Sequence, residues 1–274
     1  MERDPHMDTQ ELINLYQQGE SLSFLSKYYN TTTYKIKQIL NQYNIKIRTR
    51  SEQTRLTNTK RRKWSVNDNY FSNIDSYSKA WLIGFLAADG TIRKDSNEIK
   101  IGLSEIDIEI LEKIKNELCL NKPILKYQTN NGFNCVQITW SSFQQKQDLK
   151  KYGVVNNKTY LPMYLPKWTK NKILAFILGY YDGDGSFSVN PQGYCRLRIC
   201  AHRNELLQDI GEFFKKYYKV DYSLSKDNRG LWELSISTKY AIQILKDMYN
   251  LNSIRLDRKY QKFLEYINQE TVTS

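Results

Sequence analysis

The chain has 274 residues, 40% hydrophobic and 26% charged, which excludes a disordered polypeptide and leaves room for one or two cores. No apolar run of about 18 residues occurs, and the opening MERDPHMDTQ lacks the apolar centre of a secretory signal, so a soluble intracellular protein is expected, neither spanning a membrane nor secreted. Lys and Arg number 41 against 29 Asp and Glu, a net charge of +12, and a folded protein this basic points to a polyanionic partner. Cys119, Cys135, Cys195 and Cys200 form no C-x-x-C pair and His6 and His202 are the only histidines, so a zinc site is not expected.

Residues 8–45 read as three short helices. Leu12, Ile13, Leu15 and Tyr16 share one face of the first. Gly19 punctuates, and Ser21 caps a second helix carrying Leu22, Leu25 and Tyr28. After a turn at Asn30, Thr31 or Thr32 caps a third with Ile36, Ile39, Leu40 and Tyr43. The tight turn between the second and third makes a helix-turn-helix, whose reading face would carry Thr33, Tyr34, Lys35, Lys37 and Gln38. The frame LYQQGESLSFLSKYYN resembles the small DNA-binding units attached to resolvases and phage regulators.

Residues 46–66 follow as a basic linker. Between Lys46 and Lys63 eight basic residues face Glu52 alone. With few apolar side chains the segment is either a solvated linker or, as favoured here, an arm lying along phosphates or in a minor groove, with Arg48, Arg50, Arg55, Arg61 and Arg62 as its contacts.

The remainder contains an internal repeat, residues 67–159 and 173–268, joined by a linker over 160–172 marked by Pro162 and Pro166. In the first copy an apolar helix ends at Gly90. A strand over Glu98–Ser104, a helix over Asp107–Leu118, strands over Ile124–Gln128 and Phe133–Trp140, and a helix over Ser142–Tyr152 follow. In the second, the helix ends at Gly185. Strands over Ser186–Val189 and Tyr194–Ala201, a helix over Asn204–Tyr218, strands over Val220–Ser225 and Leu231–Ser237, and a helix over Lys239–Tyr249 follow. The fold class is therefore α+β: a pseudo-symmetric, duplicated αββαββα body with two antiparallel sheets, plus a small all-α domain.

Each apolar helix ends Asp-Gly. Gly84 and Ala88 lie on one face of the first, Gly179 and Gly183 on one face of the second, and small residues at this spacing let two helix backbones approach closely. If the two helices face each other, Asp89 and Asp184 meet at their C-terminal ends, where carboxylates are electrostatically unfavourable. A divalent cation removes that cost, which argues for a Mg²⁺ site. Gly90 and Gly185 fit left-handed caps that end the helices.

LIGFLAADG (Leu82 to Gly90) and ILGYYDGDG (Ile177 to Gly185) resemble the nine-residue motif of the LAGLIDADG homing endonucleases. The segments NDNYFSNIDSYSKAW, LKKYGVVNNKT and LPMYLP are similar to stretches flanking that motif, so the resemblance covers roughly residues 67–268. It implies a monomeric, two-motif, Mg²⁺-dependent nuclease acting on double-stranded DNA and leaving short 3′ overhangs. It further implies that Asp89 and Asp184, with Gly90 and Gly185 beside them, hold two or more shared metal ions. Asp182 matches the motif's earlier acid, which is not a ligand, and Ala87 replaces it in the first copy. Lys158 and Lys259 match basic residues that polarise water or neutralise the transition state. Glu105 and Arg203 fall where a polar residue organises water or contacts phosphate.

By the same resemblance the two sheets form a saddle over the major groove. Strand alternation offers Lys100, Arg196 and Arg198, with Gln137 and Thr139, and Trp232 or Glu233, as DNA-facing candidates. Two other readings remain open: a non-catalytic DNA-binding regulator on the same body, and a maturase that acts on intron RNA.

Overall fold

The computed structural model of the chain describes residues 7–190, 192–228 and 230–273. It divides into two units, one ending at Lys63 and the other beginning at Trp64.

In the first unit each helix starts where a short polar side chain can accept from backbone N–H groups left free at the helix start. Asp8 caps α1 (Thr9–Gln17), Ser21 caps α2 (Leu22–Tyr28) and Thr32 caps α3 (Thr33–Gln42). Their inward faces make a small core of Leu12, Ile13, Tyr16, Leu25, Ile36 and Leu40. The turn between α2 and α3 passes through Asn30 in the left-handed region, at φ 46°.

The segment read as a basic arm differs. Residues Arg50–Lys60 form α4, started by a reciprocal capping box in which Thr49 and Glu52 each accept from the other's backbone N–H. None of its residues is fully buried, and its attachment to the rest of the unit is polar. The Gln53 amide donates to the Gly19 carbonyl at 3.0 Å and Lys60 pairs with Glu20 at 2.7 Å. Apolar content alone suggested an arm; capping and docking hydrogen bonds order the segment instead.

The second unit holds the duplicated body. Its first half runs α5 (Tyr77–Ala88), β1 (Gly90–Ile92), β2 (Glu98–Ser104), α6 (Ile108–Glu117), β3 (Leu125–Gln128), β4 (Asn134–Ser141) and α7 (Phe143–Lys150). Its second half runs α8 (Lys170–Asp184), β5 (Gly185–Val189), β6 (Cys195–Ala201), α9 (Glu205–Tyr218), β7 (Ser223–Lys226), β8 (Trp232–Ser237) and α10 (Thr238–Tyr249), followed by α11 (Asp257–Thr273). Helix α8 thus begins inside the stretch read as a linker. Strand order is β1-β2-β4-β3 in one sheet and β5-β6-β8-β7 in the other, antiparallel throughout. Period-two alternation buries Ile99, Ile101, Val136 and Ile138 on one side of the first sheet, and Leu197, Ile199, Leu234 and Ile236 on one side of the second.

Helices α5 and α8 are apolar nearly all round and lie at the centre of one continuous core. Trp81, Phe85, Phe176 and Tyr181 are fully buried there, each contributing roughly 2–3 kcal/mol of apolar burial. The backbones touch: a Cβ on Gly84 would lie 2.0 Å from the Phe176 carbonyl oxygen, and one on Gly179 would lie 1.9 Å from that of Trp81. Among the described residues, no helix is long and apolar enough to cross a membrane.

Gly179→Ala therefore meets the α5 backbone at Trp81 and Phe85 and should cost at least about 3 kcal/mol in urea unfolding. Gly102→Ala, whose nearest neighbours lie 3.9 Å away, should be nearly neutral in the same measurement.

Candidate functional site

The close crossing of α5 and α8 carries down to their C-terminal ends. A Cβ on Gly183 would fall 2.4 Å from the Ala88 Cβ and 3.1 Å from an Asp89 carboxylate oxygen. Asp89, the C-terminal cap of α5, therefore lies against the residue that precedes Asp184, the last residue of α8. Burial raises both carboxyls above their ordinary range. For Asp89 the negative charge of Asp184 adds to burial and brings it to about 6.

The two glycines after these acids do not adopt the left-handed caps that the sequence suggested. Gly185 is extended, at φ −104° and ψ 166°, and opens β5; Gly90, also without a positive φ, opens β1. They are required for space. A Cβ at Gly90 would meet the Leu86 carbonyl at 2.5 Å, and one at Gly185 would meet the Tyr181 ring at 2.2 Å. The Gly185 carbonyl, moreover, accepts from Lys259 at 2.6 Å.

Two lysines close the helix ends in matching ways. Lys158, in a single 3-10 turn (Lys158–Tyr160), donates to the Ala88 carbonyl at 2.8 Å. Lys259, on α11, donates to the Tyr181 carbonyl at 2.7 Å as well as to Gly185. Cations there complement the negative end of each helix. Burial lowers the pKa of both, opposed for each by the charges of Asp89 and Asp184.

Asp182 plays a different part. Fully buried, it accepts from Trp81 Nε1 across the helix pair at 2.8 Å and from the Leu256 N–H at 3.0 Å. Its other oxygen has no partner, and burial brings its carboxyl to about 7. It ties α8 to α5 and to the segment leading into α11.

A cleft of about 230 Å³ opens beside Asp184, lined among others by Lys158, Tyr180, Cys200, His202 and Arg203. Arg203 lies in its wall, paired with Glu205. Glu105 does not join it: Glu105 pairs with Lys126 at 2.9 Å and borders a separate depression with Ile106 and Phe133. The acid of that turn whose charge acts on Asp89 is Asp107, which Arg258 of α11 holds through two hydrogen bonds of 3.0 Å. Sequence reading missed His202, Asp107 and Arg258. The strand-end position of His202 after the β6 alternation was the available signal; the long-range Asp107–Arg258 pair left none. His6 lies outside the described residues.

The remaining basic candidates separate by what they touch. Thr33, Tyr34, Lys37 and Gln38 are exposed on α3, with Gln38 donating to the Tyr34 hydroxyl, while Lys35 is half-buried. Lys37, Arg50 and Arg61 border a groove between the start of α2 and α4, to which α3 contributes Lys37. Arg55 is exposed and donates to Ser51; Arg62 is half-buried. Arg48 is committed within its unit: its guanidinium stacks 3.8 Å over the Tyr16 ring and donates to the Glu20 carbonyl. In the second unit Lys100, Gln137 and Thr139 share the face of the first sheet opposite the core, where Lys122 also bonds Thr139. Arg196, Arg198 and Glu233 share the corresponding face of the second. Trp232 packs against the core side, which resolves the choice between it and Glu233.

The two carboxylates, brought together from two helix ends with the cleft beside Asp184, suit a divalent cation. No group of three or more His, Cys, Asp and Glu side chains able to hold a metal occurs among the described residues.

Residues 171–249 match the LAGLIDADG-like domain family. The chain is 27% identical over 208 residues to the uncharacterised protein MJ0314 of Methanocaldococcus jannaschii, covering 71% of this chain and 72% of that protein. It is 25% identical over 169 residues to the DNA-directed RNA polymerase subunit Rpo1C of the same organism, covering 60% of this chain but only 18% of that protein. Among solved structures, full-length DUF199/WhiA from Thermatoga maritima aligns at TM-score 0.48 and 16% identity over 74% of this chain and 65% of that one. The I-LtrWI LAGLIDADG homing endonuclease bound to target DNA aligns at TM-score 0.48 and 13% identity over 75% and 92%. The second half of this chain thus carries a LAGLIDADG-like domain, and the body that contains it is α+β with two four-stranded antiparallel sheets.

If burial and mutual repulsion raise Asp89, its ionisation opposes folding. The penalty is absent below pH 4, grows between pH 4 and about 6, and is constant above. Asp89→Asn should therefore melt several degrees above the wild type at pH 7 and much closer to it at pH 4, as thermal unfolding in metal-free buffer would show.

Proposed function

We propose that this chain is a site-specific, Mg²⁺-dependent endonuclease acting on double-stranded DNA. The observation that carries this reading is the joining of Asp89 and Asp184 at the ends of two helices whose backbones touch, in the domain family matched by residues 171–249. Buried acids placed at the negative ends of two helices are costly to a fold and serve it poorly. They are well suited to holding cations against a polyanionic substrate.

In this reading Asp89 and Asp184 would hold the divalent ions. A bound Mg²⁺ would supply electrophilic stabilisation of the phosphate and acidify nearby water. Lys158 and Lys259 would face the region where negative charge grows during phosphodiester hydrolysis. Their hydrogen bonds to helix-end carbonyls fix their ammonium groups beforehand, so little reorganisation is needed. His202 and Arg203, both from the second half, border the cleft beside Asp184.

The open faces of the sheets would lie on the major groove. The first unit would grip a flank of the target through α3 and the groove bordered by Lys37, Arg50 and Arg61. Both motif copies lie in one chain, so a monomer should act on a long, asymmetric site.

A plasmid library with randomised inserts, incubated with the protein and Mg²⁺, should yield linear products whose sequenced ends share one motif and short 3′ overhangs. Asp184→Asn should reduce cutting on the order of 10³-fold or more while remaining folded. A motif that the wild type binds but never cuts would make the protein a non-catalytic DNA binder. Stimulated intron splicing without DNA cutting would favour the maturase reading.

A further inference from the structure

The strand registers determine which residues share the face opposite the core in each sheet, and the two faces are chemically unlike. In the second sheet, pairing of Arg198 with Ser186 and Ser235, and of Arg196 with Ser188 and Ser237, puts both arginines among short hydroxyls. Ser223 and Ser225 extend this ground on β7, opposite Ser235 and Glu233. The arginines therefore stand above a low polar floor. Arg198 is held in place: it donates to Ser188 Oγ at 3.2 Å, its guanidinium lies 4.0 Å from Glu233, and its Nε is buried without a partner.

The first sheet presents a different surface. Leu125 pairs with Gln137 and Tyr127 with Cys135, so both side chains project on the open face, 56% and 41% exposed. The Tyr127 hydroxyl reaches toward Gly102, two strands away, where a Cβ would lie 3.9 Å from it. The ring therefore lies across the sheet with its hydroxyl beside Gly102. Among the arginines and lysines of β1, β2, β3 and β4, only Lys100 shares this face, because Lys126 pairs opposite the buried Val136.

We infer that the two halves read chemically different half-sites of duplex DNA: guanine through Arg196 and Arg198 in the second, and thymine methyl groups through Leu125 and Tyr127 in the first. This rests on the DNA-binding part of the proposed function, though not on cleavage. A guanidinium fork matches the two major-groove acceptors of guanine, and a carboxylate such as Glu233 accepts from the amino group of the paired cytosine. Because Ser188 and Glu233 already restrict Arg198, little side-chain freedom is lost on binding. The Leu125 side chain and the Tyr127 ring, whose hydroxyl is turned toward Gly102, are complementary in the major groove to the thymine methyl.

The test is selection of a randomised duplex library by the full-length protein in EDTA, which separates reading from cutting. The selected site should be asymmetric, guanine-bearing on one side and thymine-rich on the other. Arg198→Ala should reduce the guanine enrichment about tenfold or more on its own side and leave the other side unchanged. Arg198→Lys keeps the charge but not the fork, so it should lose the same preference with overall affinity nearly retained. Joint Leu125→Ala and Tyr127→Ala should flatten the thymine side alone.

The inference is overturned if the arginine variants weaken all sequences evenly, as a phosphate contact would, or if both sets of variants alter the same half-site. Absence of any enriched sequence would overturn both this assignment and the DNA-binding reading. Asymmetric enrichment followed by no cutting in Mg²⁺ would remove only the nuclease.

Discussion

The contact of Gly84 and Gly179 with the opposing helix backbone is the constraint from which the rest of the body follows. Any side chain at either position would have to pass through a carbonyl of the partner helix. Because the helices meet so closely, their ends meet too, and the residues after Ala88 and Gly183 become neighbours. The two sheets then extend outward from the helix pair, since β1 and β5 begin at the glycines that follow the acids. One packing choice thus fixes both the shared core and the position of the carboxylates.

That choice has an electrostatic cost which the fold offsets only in part. Two carboxylates at helix C-termini, withdrawn from water, repel each other and the helix dipoles. Lys158 and Lys259 bring two positive charges to the same place. Both spend their hydrogen bonds on backbone carbonyls at the helix ends, and the acids stay raised despite them. The result is a cluster of opposite charges in which both carboxyls stay raised. Asp182 offers a useful contrast within one motif. Two residues before Asp184, it faces inward and is used up as a strut between Trp81 and Leu256, while Asp184 faces a cleft.

Much of this was legible in the sequence, for identifiable reasons. Small residues four apart, followed by Asp-Gly, occur twice, and their steric meaning is local, so the helix pair and Asp89 beside Asp184 could be read directly. Strand alternation was equally clear in EIKIGLS and YCRLRICA, but which face lay open awaited the pairings that bury Ile99 and Leu197. What the sequence concealed depends on contacts between distant segments. Asp107 meets Arg258 from 151 residues away, and Arg48 turns inward onto Tyr16, so neither arginine could be sorted by charge alone. The basic arm became helix α4 because a four-residue capping box and two docking bonds outweigh a shortage of apolar side chains. The left-handed caps failed for a related reason. Glycine was required at 90 and 185 by the preceding helical turn, not by a positive φ.

The pairing of Asp89 with Asp184 around shared cations is most directly examined by anomalous diffraction from crystals grown with Mn²⁺ and a selected duplex. An anomalous peak between the two carboxylates, shared with phosphate oxygens of the DNA, is the predicted result. Well-ordered DNA over the same helix ends with no peak between Asp89 and Asp184 would contradict the account.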